Sequence, residues 1–398
     1  MEYINLAFVG LAAFLYSITL RQLEHNEITG PMFFVILGCL LTYFEPAIEI
    51  DFLNSSMQLV IELTLASVLF VDAANADLKV LRRNYTYPLL LLIVALPLTF
   101  IFSALTISVF FTSLPFLSAA LIAIIITPTD AALSRSFLKA ESVPISLREG
   151  INTESGLNDG LCVPIFLFLL AIVSNQSNEQ PVTLAFELLS RELGIGIVVA
   201  ICLMGTILSL VHYCEKKHYF LNNSSPFLFT AIAVFIYSLT QALEGSGFIA
   251  VFLSGLIFDW FYKGNSKNKF VKDSEQLADF MSAIIWCLFG FTAFNLLSDT
   301  ISIEIICYAF LSLTILRMLP VVLSLSFTQL TVKEKITFGW FGPRGMASIV
   351  FTLMLYQTDI DNKEFLVSVC FTVIILSVMI HGLSTKPIIQ LFKMKKAE

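Results

Sequence analysis

The stretch Glu149-Gly-Ile-Asn-Thr-Glu-Ser-Gly-Leu-Asn-Asp-Gly160 stands at the head of an apolar run, 161–173, in a chain made almost wholly of apolar runs. Glu154, Asp159, two asparagines and Ser155 occupy positions where a helix facing lipid would carry none of them. A carboxylate near the centre of a bilayer costs at least ~2.5–3.5 kcal/mol, so such groups face a cavity or a partner and mark a pathway. On a helix Ser155, Asn158 and Asp159 fall at i, i+3 and i+4 and point to one side, while Glu154 and Asn158 share the adjacent stripe. These side chains offer only oxygen and amide donors, a set that suits a hard cation.

A second oxygen-rich stretch is Thr127-Pro-Thr-Asp130. Pro128 has no N–H, so a helix entering it loses a backbone bond and frees a carbonyl. Freed carbonyls inside a membrane can coordinate a cation where the backbone lines a cavity or is buried in protein. Thr127, Thr129 and Asp130 add oxygens at the same place. A third interrupted stretch is Gly339-Trp-Phe-Gly-Pro343-Arg344-Gly345, again with glycine and proline in mid-run and a charge beside them. Arg344 needs an acid, and Glu154 is the partner this reading assigns it, at little net stability. Arg317 reads as a residue that snorkels or ties helices together. Asp72 reads as a lining of an inner vestibule, Asp77 as interfacial, and Glu62 as either rim or path. His381 and Ser384 lack a third partner for nucleophilic chemistry, and His212 and His218 read as interfacial.

The elements that must position these groups follow from composition. Of 398 residues, 57% are hydrophobic and only 13% charged, about half the charged fraction of a soluble domain. The class is all-α integral membrane. Apolar runs long enough to span a bilayer lie at about 4–20, 28–44, 57–74, 86–111, 115–138, 149–173, 192–214, 225–243, 246–262, 277–297, 302–326, 336–357 and 364–385. The first run lacks the flanks of a signal peptide and reads as a retained helix. With the N-terminus outside and the C-terminus in the cytoplasm, the inner connections and tail collect 19 of the 23 Lys and Arg. Arg21, Lys79, Arg82, Arg83 and Lys263 are among them. Outer connections hold only Arg191 and Lys363 and are otherwise neutral or acidic, as in Glu45 to Asp51.

Residues 1–398 read as a single transmembrane transporter domain with no soluble domain. Spans one to six and eight to thirteen would be inverted-topology repeats, with the seventh, about 192–214, as connector. The two interrupted spans, fifth and twelfth, then occupy matching positions, which points to a midplane site. Gly245, Gly247, Ala250, Ser254 and Gly255 form a small-residue stripe suited to close helix packing. The seven cysteines have no metal-like spacing and read as buried apolar residues.

Together the motifs Thr127-Pro-Thr-Asp130, Glu154-Ser-Gly-Leu-Asn158-Asp159-Gly, Gly342-Pro-Arg344-Gly, Leu69-Phe-Val-Asp72-Ala-Ala and Gly247 to Gly255 resemble the NhaP-type monovalent cation:proton antiporters, relatives of the animal sodium/proton exchangers. The resemblance implies about thirteen spans, a mobile six-helix core, a homodimer and two broken helices that cross near the ion site. It implies that Asp159 binds the ion and the proton in turn. Thr129, Asp130, Ser155 and Asn158 would ligate or shape the site, with Asp159, Ser155 and Thr129 as Na⁺ ligands. Glu154 and Arg344 would be the structural ion pair. An Asn-Asp pair in this family accompanies electroneutral exchange. Asp72-Ala-Ala departs from the acid-then-glycine pattern of many relatives, which bears on the vestibule rather than the site.

The expected function is exchange of Na⁺ or Li⁺ for H⁺ across the cell (inner) membrane, serving pH homeostasis, with K⁺/H⁺ exchange as the alternative and a cation channel as a more distant one. The chain is not read as an enzyme, needs no cofactor, and binds no nucleic acid. One carboxylate cannot hold a proton and a cation well together, so competition couples the fluxes. Neutralised by either ligand, it can cross the barrier. Empty and charged, it is held back by desolvation.

Overall fold

The computed structural model describes residues 10–11, 13–19, 22–23, 28–44, 55–75, 86–174, 181–217, 219, 225–262 and 267–394. Arg21, Lys79, Arg82, Arg83, Lys263, Lys395, Lys396, Asp77, His218 and the connection Glu45 to Asp51 lie outside the described residues. Every described regular element is helical.

Helical residues 13–19 fall in the first expected span. The following spans are α1 (Gly30–Phe44), α2 (Ser55–Asn75) and α3 (Thr86–Phe110). The fifth is made of α4 (Phe116–Ile125), a 3-10 turn (Ala131–Ser134) and α5 (Arg135–Lys139). Next come α6 (Ile145–Ser174), α7 (Pro181–Lys216), α8 (Ser225–Ala242), α9 (Gly247–Phe261) and α10 (Lys267–Thr300). The eleventh divides into α11 (Ile303–Leu313) and α12 (Ile315–Ser324). The twelfth divides into α13 (Val332–Trp340) and α14 (Met346–Gln357), and α15 (Lys363–Met394) ends the described chain. Among the described residues seven helices are long and apolar enough to cross a membrane, and five shorter apolar helices accompany them. With the first span this is an all-α membrane architecture of about thirteen spans.

Several helices outrun the apolar stretches that announce them. α7 begins at Pro181 and α10 at Lys267, well before the hydrocarbon-length windows. An apolar run marks where lipid is, whereas a helix continues into water as long as its backbone bonds are satisfied.

Among the described residues four spans are irregular, and they pair at an interval of seven. In the fourth, α3 carries a π turn (Leu91–Ala95) immediately before Leu96 and Pro97. Proline cannot donate to the carbonyl four residues back, and a wide turn absorbs the defect. In the eleventh, Thr314 leaves helical geometry at φ −107°, ψ −92°. The fifth and twelfth are broken outright. An odd interval places matching segments in opposite orientation, as inverted-topology repeats require.

The chain forms two compact units. One comprises Met1–Leu53, Thr86–Ser155 and Ala283–Glu398, and the other comprises Asn54–Tyr85 and Gly156–Ser282. In the first unit a cluster of Phe137, Phe338, Phe341, Val321, Leu325, Leu147 and Phe392 joins α5, α6, α12, α13 and α15. Phe137 stacks on Phe341 with ring centroids 4.0 Å apart. In the second unit α9 packs closely on α2. A Cβ added at Gly255 would lie 2.6 Å from the Phe70 carbonyl oxygen, so the small-residue stripe serves backbone approach. Glu62 is held within this unit by the Tyr237 hydroxyl (2.7 Å) and the Gln58 amide (2.8 Å).

Candidate functional site: two crossing helix breaks

α4 ends because Pro128 follows. Thr127 N–H slips to the Ile124 carbonyl at 3.4 Å, and the Thr127 hydroxyl takes the Ala123 carbonyl at 2.6 Å. The chain then has no regular structure until Ala131, where a short 3-10 turn begins. The carbonyls of Thr127 and Pro128 are thereby left without helical donors. Arg344 supplies them: its Nη1 donates to Thr127 O at 2.7 Å and to Pro128 O at 3.4 Å.

The second break, between α13 and α14, meets the first. Asp130 N–H donates to the Pro343 carbonyl at 2.8 Å. Met346 N–H, at the start of α14, donates to Asp130 Oδ2 at 3.3 Å. A carboxylate at a helix N-terminus is favoured by the unsatisfied N–H groups and by the helix dipole. The crossing requires glycine at 345, because a Cβ there would sit 2.0 Å from Asp130 Cβ and 2.1 Å from its Oδ2. Asp130 thus ties one break to the other through both its backbone and its side chain.

Glu154 is fully buried on α6, and its ion-pair partner is Arg317, not Arg344. Arg317 Nη2 donates to Glu154 Oε1, and Arg317 is itself 1% exposed on the first turn of α12. The expected Glu154–Arg344 pair is corrected on two grounds. The guanidinium of Arg344 is engaged by the carbonyls that Pro128 releases. Gly342 leaves room for Arg317 instead: a Cβ at 342 would lie 2.6 Å from Arg317 Nε. The sequence signal for Arg317 was present as a charge deep in an apolar run, but the break at Thr314 that aims it inward carries no proline or glycine of its own.

Thr129 and Ser155 are both buried, and their hydroxyl oxygens lie 3.3 Å apart. Hence the first break meets the polar face of α6. Along the same helix Asn158 and Asp159 follow, at 0% and 4% exposure. In the second unit Gly156 of α6 faces α2 at Asp72. A Cβ at 156 would lie 3.2 Å from Asp72 O. Asp72 is partly exposed, within a helical turn of the stretch that carries Asp159. At the crossing of the breaks, within the first unit, hydroxyls, a carboxylate, backbone carbonyls and a helix N-terminus come together. Among the described residues no group of three or more His, Cys, Asp or Glu could hold a metal ion.

Comparison with known proteins places the chain in a family. The family model described as "Sodium/hydrogen exchanger, transmembrane" matches residues 9–391. The Low-affinity Na(+)/H(+) antiporter NhaS1 of Synechocystis sp. is 25% identical over 388 residues, covering 91% of this chain and 69% of its own length. The K(+)/H(+) antiporter NhaP2 of Shewanella baltica is 23% identical over 290 residues, covering 71% of this chain and 48% of its own length. The chain therefore spans about half to seven tenths of the length of these relatives. Among solved structures, the sodium proton antiporter MjNhaP1 from Methanocaldococcus jannaschii at pH 8 superposes with a TM-score of 0.78 at 20% identity, covering 98% of this chain and 99% of that one. That likeness is one of fold.

Proposed function

We propose that this chain, which belongs to the sodium/hydrogen exchanger family, is a secondary antiporter that exchanges a monovalent cation for H⁺ by alternating access. Members of the family are transporters rather than enzymes. The observation that carries the reading is the meeting of Thr129 with Ser155 at the crossing of the two breaks, on the helix that continues to Asn158 and Asp159. Asp159 is the group that exchanges cation for proton, and Thr129 and Ser155 supply hydroxyl ligands. Asn158 shapes the site, Asp130 anchors the crossing, and Asp72 lines the approach. Asn158 next to Asp159 supports one cation for one proton.

Sodium does not take precedence over potassium. The potassium-named relative from Shewanella baltica matches almost as well as the sodium-named relative from Synechocystis sp.. The site's oxygens accept either ion, so a K⁺/H⁺ exchanger is supported at least as well as an Na⁺/H⁺ one. The proposal extends to inverted repeats over spans one to six and eight to thirteen, a homodimer, and a cell-membrane setting with the N-terminus outside.

The mechanism follows from charge. The carboxylate of Asp159, neutralised by a proton or a cation, can move with the elements around it, and empty it is costly to desolvate. Na⁺, Li⁺ and K⁺ tested in turn against a proton gradient in proteoliposomes give the cation and, with an imposed potential, the stoichiometry. Asp159→Asn inserts normally and exchanges nothing. Full exchange by that variant removes Asp159 from the role.

A further inference from the structure

A break within a span leaves carbonyls at the end of one half and N–H groups at the start of the next without helical partners. At the twelfth span, side chains of α15 meet both edges. His381 Nε2 lies 2.9 Å from Trp340 O, the last carbonyl of α13. Ser377 Oγ accepts the Arg344 N–H at 2.7 Å. Ser377 and His381 are one helical turn apart and both are buried. They also touch: His381 Nδ1 is 3.2 Å from Ser377 Oγ and 2.9 Å from the Ser377 carbonyl.

Each ring nitrogen faces a carbonyl at 2.9 Å, Nε2 that of Trp340 and Nδ1 that of Ser377, and a neutral ring has one N–H to give. With the proton on Nε2, the ring donates to Trp340 O and Nδ1 accepts from the Ser377 hydroxyl, whose oxygen is at the same time the acceptor for Arg344 N–H. In that tautomer one line of hydrogen bonds runs from the Arg344 backbone through Ser377 and His381 to Trp340. The Trp340 ring lies beside the imidazole, with centroids 5.6 Å apart. Trp340 Nε1 donates to Ser384 Oγ at 2.9 Å, and the Thr385 hydroxyl donates to the His381 backbone carbonyl at 2.8 Å. Trp340 O also receives the Gly342 N–H at 2.8 Å, so a tight turn and a side chain converge on the peptide where α13 stops. An apolar side chain could fill the same volume, but it could not make either bond.

Arg344 connects this line to the other break. Its backbone is fixed by Ser377, and its guanidinium holds the carbonyls of Thr127 and Pro128, the two residues that precede Thr129.

We propose that His381 and Ser377 are positioning residues of the ion site. From α15 they fix both edges of the twelfth-span break and, through the backbone of Arg344, the orientation of the guanidinium that holds the peptides before Thr129. This rests on the exchange reading above and touches neither cation nor proton directly. It also gives His381, Ser384 and Trp340 a role that does not require catalysis.

The test compares His381→Leu, His381→Gln and Ser377→Ala with the wild type in proteoliposomes, with rates normalised to folded protein. Glutamine carries an N–H that can reach Trp340 O, whereas leucine has none. His381→Leu and Ser377→Ala raise the KM for the cation about fivefold, the scale of one buried hydrogen bond, with a smaller change in maximal rate. His381→Gln restores KM to within about twofold of the wild type. Equal shifts in Leu and Gln, or a wild-type KM in Ser377→Ala, overturn the proposal. If His381→Leu does not fold, Ser377→Ala decides alone, since it removes one oxygen. Cation-dependent thermal stabilisation in detergent, measured with Na⁺, Li⁺ and K⁺ on the same proteins, reads the site without transport. A wild type that binds a cation but exchanges none overturns the exchange reading, whereas an unshifted binding midpoint in Ser377→Ala overturns the positioning role.

Discussion

The break after Ile125 and the break after Trp340 are built from similar residues, a proline with glycine or threonine around it, yet they contribute opposite things. The first releases carbonyls and a carboxylate, from Thr127, Pro128 and Asp130. The second supplies the cation and the N–H groups that answer them, from Arg344 and Met346. Arg317, in the span before, makes a different bargain with its surroundings. It meets the Glu154 carboxylate, while the Arg344 guanidinium donates to the carbonyls of Thr127 and Pro128. The two buried arginines are thus not equivalent. One neutralises an acid that would otherwise sit uncompensated on α6. The other holds the backbone in place at the site.

The largest expected effect separates these two roles. Arg317→Ala leaves Glu154 charged and buried, a loss of about 3–5 kcal/mol, and lowers the unfolding temperature and yield. Replacing both partners, as in Glu154→Gln with Arg317→Met, recovers much of that loss, because no unpaired charge remains. Thermal unfolding of the two singles and the double measures the coupling. The comparison breaks if Glu154 couples with Arg344 and adds independently with Arg317.

A smaller effect is expected at the other arginine. Arg344→Lys keeps the charge but replaces a planar fork with a single ammonium, which cannot span two carbonyls. Stability falls modestly. The KM for the cation rises about tenfold, the cost of one charge-assisted hydrogen bond, since the peptides before Thr129 are then less firmly held. A KM equal to that of the wild type would show that the fork has no bearing on the site.

Much of this arrangement was legible from the chain alone. Pro128 and Pro343 are local signals with a local consequence, so both breaks could be placed. The polar face of α6 followed from helical spacing. The ion pair was not legible, because which of two arginines reaches Glu154 depends on a three-dimensional choice. Gly342 opens space for Arg317, and Thr314 turns α12 so that Arg317 faces inward, and neither residue advertises this. The contact of Asp130 with helix α14 was not legible, since that helix begins 216 positions away along the chain from the carboxylate it meets. The sequence shows no hydrogen-bond partner for His381, because Trp340, like the Arg344 whose N–H meets Ser377, comes from a different span.

The smallest effect concerns the hydroxyls that join the first break to α6. Thr129 Oγ1 and Ser155 Oγ are 3.3 Å apart, within reach of one another and of a shared ion. Thr129→Val and Ser155→Ala each remove one oxygen while leaving volume and backbone nearly unchanged. Each raises the cation KM about threefold to fivefold, the worth of a single oxygen exchanged between ion and water. If both oxygens serve one ion, losing the first loosens the second, and the double variant falls short of the product of the singles. Two independent contacts multiply instead. A double variant equal to the product of the singles therefore shows that the two oxygens act independently on the cation, and one that falls short shows that they act as a pair.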